Sequence, residues 1–172
     1  QKSAYRTLCG LMDSGEAKAS LLFGVTGSGK TSVIIGAVNY ALSQGKTAIV
    51  MLPEIGLTAQ AIGIFVSYFG NKCALLHSML SEGERIDAYR RISEGEATVV
   101  IGTRSAVFAP VKNLGLIVLD EEQESSYKSE KTPKFHARDI ARFRCAYNKA
   151  LLVLASATPS IDSYYKAKTG KY

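Results

Sequence analysis

The sequence lacks the features of a membrane-embedded or disulfide-stabilised protein. No apolar run approaches the roughly eighteen residues of a membrane span, and residues 1–5 lack the apolar core of a signal peptide. The three cysteines, Cys9, Cys73 and Cys145, are odd in number and far apart, so they suggest neither a disulfide framework nor a C-x-x-C metal site. These absences predict a cytoplasmic protein in which the cysteines act as small buried or half-buried side chains.

What is present is typical of one ordinary globular domain. The 172 residues are enough to bury a full core, and the composition is 47% hydrophobic and 21% charged. The net charge of +6 is concentrated, because residues 128–149 contain seven basic side chains and two acidic ones. Such a stretch suits either contact with a phosphate backbone or a solvated helix face, and charge alone leaves the two interpretations even.

The most informative stretch is residues 21–31, where an apolar run breaks into glycines and ends in lysine and threonine. Its spacing matches G-x-x-x-x-G-K-[ST], a loop that turns tightly enough to aim backbone N–H groups at phosphate oxygens. Lys30 would reach the β- and γ-phosphates, and Thr31 would offer its hydroxyl to Mg²⁺. The predicted phosphate-binding residues are Gly24, Thr26, Gly27, Ser28, Gly29, Lys30 and Thr31.

Strands and helices alternate along the chain. The sequence predicts strands at residues 20–23, 47–52, 73–76, 98–101, 114–119 and 151–155. It predicts helices over residues 3–13 and 57–69, one that begins at Lys30, and one that begins at the Ser81 capping box. The strand runs are continuously apolar, which is typical of strands covered on both faces. The predicted fold class is therefore α/β, with a mostly parallel sheet and helices on both faces.

The carboxyl ends of such strands form the usual ligand-binding edge. Asp120 and Glu121 follow an apolar strand; one carboxylate would hold the Mg²⁺ shell and the other would orient or deprotonate an attacking water. Ser156 and Thr158 could bond this acidic pair to a neighbouring segment, or one of them could cap a helix before Pro159. 

Taken together, these segments resemble the first RecA-like motor domain of superfamily 2 helicases, and among these the PriA-type primosomal helicases (primosomal protein N′). The residues that carry the resemblance are 24–31, 52–58, 76–78, 101–108, 120–123, 135–139 and 156–160. The most specific of them are 53–58, 102–108 and 136–139, because the phosphate loop and the acidic pair occur in a much larger class of proteins.

The resemblance implies ATP-driven 3′-to-5′ DNA unwinding at stalled replication forks in the bacterial cytoplasm, with ATP and Mg²⁺ as cofactors. Implied partners are single-stranded or forked DNA, primosome and replication-restart proteins, and a second RecA-like domain of the same chain. The implied catalytic residues are Lys30, Asp120, Glu121 and Gln123; Thr31 and Asp120 bind Mg²⁺, and Ser156 and Thr158 couple the nucleotide site to a moving segment. The implied DNA-binding residues are Pro53, Thr58, Thr103, Arg104, Tyr127, Lys128, Phe135, His136 and Arg138.

Two departures from the family pattern matter. Gln123 stands where the family usually has histidine, and its amide can hydrogen-bond but cannot titrate. The second motor domain with its arginine finger, the zinc-binding cysteines and the N-terminal DNA-binding domain are not among residues 1–172, so we expect a fragment with very slow ATP turnover. Two other functions stay open: a P-loop phosphotransferase, and a non-catalytic replication interaction module stabilised by nucleotide.

Overall fold

The computed structural model describes residues 1–172, which form six strands and six α-helices. An α-helix separates each pair of consecutive strands except the fourth and fifth, between which the chain forms a short 3₁₀ helix at Arg104–Phe108. The strands are β1 (Lys18–Phe23), β2 (Thr47–Met51), β3 (Cys73–Leu76), β4 (Val99–Gly102), β5 (Leu114–Asp120) and β6 (Leu151–Ser156). The helices are α1 (Lys2–Asp13), α2 (Lys30–Ser43), α3 (Ala59–Phe69), α4 (Glu82–Glu94), α5 (Ala137–Asn148) and α6 (Ile161–Lys168). No helix combines the length and the apolar character that crossing a membrane requires.

All six strands form one parallel sheet in the order β1-β6-β5-β2-β4-β3. Successive residues of β2 enter two separate cores: Ile49 packs in one with Ile92 of α4, and Val50 packs in the other with Ile34 of α2. The central strands are buried on both faces because helices cover each side. The predicted α/β fold is confirmed, and the parallel arrangement brings every strand's carboxyl end to one edge.

Local signals set several helix boundaries. The capping box at Ser81 is confirmed, since Ser81 Oγ accepts from the N–H of Glu84 at 3.3 Å and the Glu84 carboxylate accepts from the N–H of Ser81 at 2.8 Å. Helix α3 begins later than residue 57, because Thr58 Oγ1 caps it by accepting from the N–H of Ala61 at 3.1 Å.

Helix α6 corrects one alternative from the sequence. Ser160 is its N-cap, and its Oγ accepts from the N–H of Ser163 at 3.3 Å. Neither Ser156 nor Thr158 caps this helix, so the capping interpretation of those two hydroxyls was wrong. Ser156 instead ends β6 and is completely buried, which leaves its side chain facing the carboxyl edge of the sheet.

Close strand packing leaves no free space for a side chain at Gly102. A Cβ on Gly102 would overlap the carbonyl oxygen of Leu76 and lie 2.8 Å from Cβ of Ala106, whereas a Cβ on Gly63 in α3 would meet nothing within 4 Å. We expect Gly102→Ala to lower the free energy of unfolding by about 1–3 kcal/mol, and Gly63→Ala to leave it unchanged or raise it by up to about 1 kcal/mol. Urea unfolding of both variants tests this, and equal stabilities would contradict it.

Candidate active site

The phosphate loop joins β1 to α2. Gly27 and Gly29 have φ values of +76° and +84°, a region that disfavours side chains. A Cβ on Gly24 would lie 2.7 Å from Ser28 Oγ, so a side chain here would have to displace the Ser28 hydroxyl. The Lys30 ammonium donates to the carbonyl oxygens of Gly24 at 2.8 Å and Val25 at 3.3 Å. The loop therefore has the backbone conformation that a phosphate cradle needs, with a lysine held across it.

A polar cleft of about 250 Å³ opens beside this loop. It is lined by Thr26, Gly27, Gly29, Lys30, Thr31, Asp120 and Glu121. Backbone amides, an ammonium, a hydroxyl and two carboxylates are the groups that bind a nucleotide phosphate chain and Mg²⁺. No group of three or more His, Cys, Asp or Glu side chains that could hold a metal exists, so Mg²⁺ here would take its other ligands from phosphate and water. The structure thus brings together the predicted phosphate loop and acidic pair.

The two carboxylates of the acidic pair differ in environment. Asp120 ends β5. Burial and the charge of Glu121 raise the pKa of the Asp120 carboxyl, while the hydrogen bond from the Glu121 N–H and the charge of Lys30 oppose this rise. Glu121 has a left-handed backbone with φ of +47°, and its N–H donates to Asp120 Oδ1 at 3.1 Å. The chain turns sharply after the strand, and both side chains line the cleft. A bound cation would favour the charged form of Asp120.

A chain of hydrogen bonds connects the acidic pair to β6. Gln123 donates through Nε2 to Glu121 at 3.0 Å, and its Oε1 accepts from Ser156 Oγ at 2.5 Å. Ser156 Oγ in turn accepts from the N–H of Thr158 at 2.9 Å, and the Ser156 carbonyl accepts from the N–H of Gly24 at 3.2 Å. Ser156 therefore contacts both Gln123, which bonds Glu121, and the phosphate loop, and Thr158 takes part through its backbone N–H. The coupling role of these two residues stays a prediction.

The predicted DNA-binding residues differ in accessibility. Thr58 and Lys128 are exposed, while Pro53 and Thr103 are buried. Phe135 is half-buried and packs edge-on against Phe108, with ring centroids 5.1 Å apart. 

Arg104 and His136 are used within the protein. The Arg104 guanidinium donates to the carbonyls of Ser126 at 3.1 Å and Lys128 at 2.5 Å. His136 Nδ1 accepts from the N–H of Arg138 at 3.2 Å and caps α5, and burial, with the charge of Arg138, lowers the pKa of its imidazole. Both side chains therefore support the loop of residues 124–138, and their contact with DNA stays a prediction.

Tyr127 is buried inside the protein, contrary to its predicted DNA-binding role. Its ring is fully buried, and its hydroxyl lies 3.0 Å from the carbonyl oxygen of Met51 and 2.6 Å from that of Asp120. Burial and the neighbouring carboxylates raise its pKa, so it stays a neutral donor shared between these two strand ends. Because no face of the ring is exposed, the prediction that Tyr127 is a DNA-binding residue was wrong.

Arg138 also bonds within the protein, and its predicted contact with DNA stays a prediction. Only 18% of its side chain is exposed, and its guanidinium lies 3.2 Å from the carboxylate of Glu122, whose side chain is completely buried. A stretch rich in positive charge gave no sign that one of its arginines is internal. Glu122 was missed as well, although it stands inside the acidic segment, because its burial depends on how α5 and α6 pack.

Comparison with known proteins agrees with this geometry. The sequence profile of the DEAD/DEAH box helicases matches residues 1–167. The chain belongs to the DEAD/DEAH box helicase family. The family accounts for a phosphate loop and an acidic pair that face each other at one edge of a parallel sheet.

Individual relatives agree with the predicted resemblance to PriA-type helicases. The chain is 46% identical to replication restart protein PriA of Bacillus subtilis over 172 residues, which is 100% of this chain and 21% of that protein. It is 44% identical to PriA of Chlamydia pneumoniae over 173 residues, 100% of this chain and 23% of that protein. The chain therefore spans about a fifth of the length of these relatives.

Solved structures confirm the RecA-like fold. RecG bound to a three-way DNA junction is similar with a TM-score of 0.71 and 26% identity, over 98% of this chain and 22% of that one. A hypothetical ATP-dependent RNA helicase from Sulfolobus tokodaii has a TM-score of 0.64 and 18% identity, over 96% of this chain and 49% of that one.

The internal role of Tyr127 is testable by removing one oxygen. Tyr127→Phe removes the hydroxyl donor that the carbonyl oxygens of Met51 and Asp120 share, which should lower the free energy of unfolding by about 1–2 kcal/mol. Tyr147→Phe is the matched control, because Tyr147 is 82% exposed on α5 and its change should stay within about 0.5 kcal/mol. Urea unfolding measures both; if Tyr127→Phe were as stable as the control, the hydroxyl would not be a structural donor.

Proposed function

We propose that this chain is the ATP-binding half of a 3′-to-5′ DNA helicase motor that acts in replication restart at stalled forks. The observation that carries the proposal is the cleft in which Lys30 and Thr31 face Asp120 and Glu121. Similarity to PriA proteins along the whole chain supports the restart role. The likeness to RecG, solved on a three-way junction, supports a branched DNA substrate.

The cleft supports ATP hydrolysis by in-line attack of water. The loop amides and Lys30 would hold the β- and γ-phosphates and offset their developing negative charge. Thr31 and Asp120 would hold Mg²⁺, which supplies further charge neutralisation when bound. Glu121 would orient the attacking water or take its proton, and Gln123 keeps its carboxylate in place through a 3.0 Å hydrogen bond. 

Hydrolysis would be coupled to DNA through the loop of residues 124–138. Exposed Lys128 can pair with a phosphate, and the partly exposed ring of Phe135 can stack on a base. A second RecA-like domain of the same protein would complete the site with an arginine finger. We propose primosome and replication-restart proteins as further partners; a bacterial cytoplasmic location stays a prediction.

The two alternatives are less well supported. A P-loop phosphotransferase does not fit membership of the DEAD/DEAH box helicase family. A non-catalytic interaction module would not need Glu121, Gln123 and Ser156 to be connected beside the nucleotide cleft.

Nucleotide binding should depend on Lys30. Lys30→Ala removes the ammonium from the phosphate cradle, and we expect ATP affinity to fall by about 10- to 100-fold, or beyond detection, because hydrogen bonds to charged groups contribute about 1.5–3 kcal/mol. Titration with a fluorescent ATP analogue measures the change. Lys18→Ala is the control, since Lys18 forms an exposed ion pair with Glu16; unchanged affinity in Lys30→Ala would contradict the assignment.

DNA binding by the full-length protein should be strongly salt-dependent. We expect the affinity for single-stranded DNA to fall with salt, and Lys128→Ala to reduce the slope of log K against log salt by about 0.7, the loss of one phosphate contact. Fluorescence anisotropy at several salt concentrations measures this.

The control for Lys128 lies at the opposite edge of the sheet. Lys46 immediately precedes β2 and donates to Asn113 at 3.0 Å, so Lys46→Ala should keep the wild-type slope. If the unmodified protein did not bind single-stranded DNA, or bound it with an affinity that did not change with salt, the non-catalytic interaction module would be favoured instead.

A further inference from the structure

Glu122 is a buried carboxylate that the proposed hydrolysis does not use. Its side chain is completely buried, although it follows directly after Glu121, which lines the cleft. Its Oε1 accepts from the N–H of Ser160 at 2.7 Å, and its Oε2 accepts from Ser160 Oγ at 3.3 Å and Ser163 Oγ at 3.0 Å. A buried carboxylate that accepts this many hydrogen bonds is held in one position.

Arg138 neutralises this carboxylate from the first turn of α5. Its Nη1 lies 3.2 Å from the Glu122 carboxylate and also contacts Ser160 Oγ at 3.3 Å and Ser163 Oγ at 3.2 Å. Its Nη2 lies 3.6 Å from Asp162, whose carboxylate is half exposed. The side chains of Glu122 and Arg138 are thus largely shielded from water. In such surroundings, one charge without the other is strongly disfavoured.

The pair joins the two ends of the loop that was proposed to contact DNA. Residue 122 precedes this loop and residue 138 closes it, and residues 124–137 span the distance between them. Inside the loop, Tyr127 shares its hydroxyl between the Met51 and Asp120 carbonyls. The ion pair therefore holds the two ends of the loop together, and Tyr127 within the loop contacts the end of β5.

The pair also fixes the acidic segment against β6 and α6. The N–H of Glu122 donates to the carbonyl of Ala155 at 3.1 Å, and its carboxylate bonds Ser160. Because Glu121 and Gln123 are its chain neighbours, a shift of Glu122 would move both the carboxylate that would orient the attacking water and the amide that holds this carboxylate in place. Small displacements of such groups have large effects on reaction rate.

We propose that the buried Glu122–Arg138 ion pair is a positioning device for ATP hydrolysis, which couples the loop of residues 124–138 to the placement of Glu121. This inference rests on the proposed helicase function. Neither residue touches nucleotide; both act through the chain segments they hold. A strand of DNA bound to the loop would act on Glu121 through this pair, so the pair sets how strongly DNA stimulates hydrolysis.

The test is a double-mutant cycle in the full-length protein. Glu122→Gln and Arg138→Gln each leave one buried charge unpaired, whereas the double variant removes both charges. We expect each single variant to lower the DNA-stimulated kcat by about 10- to 100-fold, with KM for ATP within about twofold, because positioning fails while phosphate binding is untouched. The double variant should recover much of the lost kcat.

Matched controls separate this effect from a change in surface charge. Arg90 makes only exposed ion pairs, with Asp87, Glu94 and Glu96 at the surface of α4. Arg90→Gln and Glu94→Gln should therefore leave both kcat and KM at the wild-type values. If the double variant lost as much activity as the two single variants combined, the positioning role would be overturned. It would also be overturned if KM for ATP rose in the single variants while their kcat stayed constant.

A second readout does not depend on catalysis. Hydrogen exchange of residues 123–137 should be faster in both single variants and slower again in the double variant, because the ion pair closes the base of the loop. Unchanged exchange in the single variants would overturn the inference. A wild-type protein without DNA-stimulated hydrolysis would instead overturn the proposed function, while the exchange cycle would still report on the pair.

Discussion

The alignment of three neighbouring strand ends is the constraint on which the candidate site depends. Strand β6 lies between β1 and β5, with Phe23 paired to Ser156 and Asp120 paired to Ala155. The loop after β1, the acidic segment after β5 and Ser156 on β6 therefore start at the same level of one sheet edge. Parallel pairing makes this possible, because it brings segments far apart in sequence to a common edge.

Burial of polar groups then determines how this edge is held together. Glu122, Ser156 and Ser163 are almost inaccessible to water, and each is hydrogen-bonded to a neighbouring segment. An unpaired group in such surroundings would be costly, so the contacts define one arrangement of the strand ends. The bonds of Glu122 to Arg138 and Ser163 also hold α5 and α6 against the segment that follows β5.

The sequence predicts the parts of this arrangement that local pattern determines. Continuous apolar runs located all six strands, and the glycine spacing located the phosphate loop and the start of α2 at Lys30. Side chains whose environment depends on tertiary packing were not predictable. Tyr127 and Arg138 have the residue types of a DNA-binding loop, yet one ring fills the space between two strand ends and the other side chain neutralises a buried acid.

Gln123 shows how a change of residue type can preserve a network. Its amide donates to Glu121 and accepts from Ser156 at the same time. A side chain at this position must therefore offer one donor and one acceptor. A neutral histidine, the residue that the resemblance to PriA-type helicases leads us to expect here, also offers one of each. A protonated histidine offers two donors and would lose the bond from Ser156. An amide has no such second state. The link between the acidic pair and β6 in this chain is therefore independent of the protonation of residue 123.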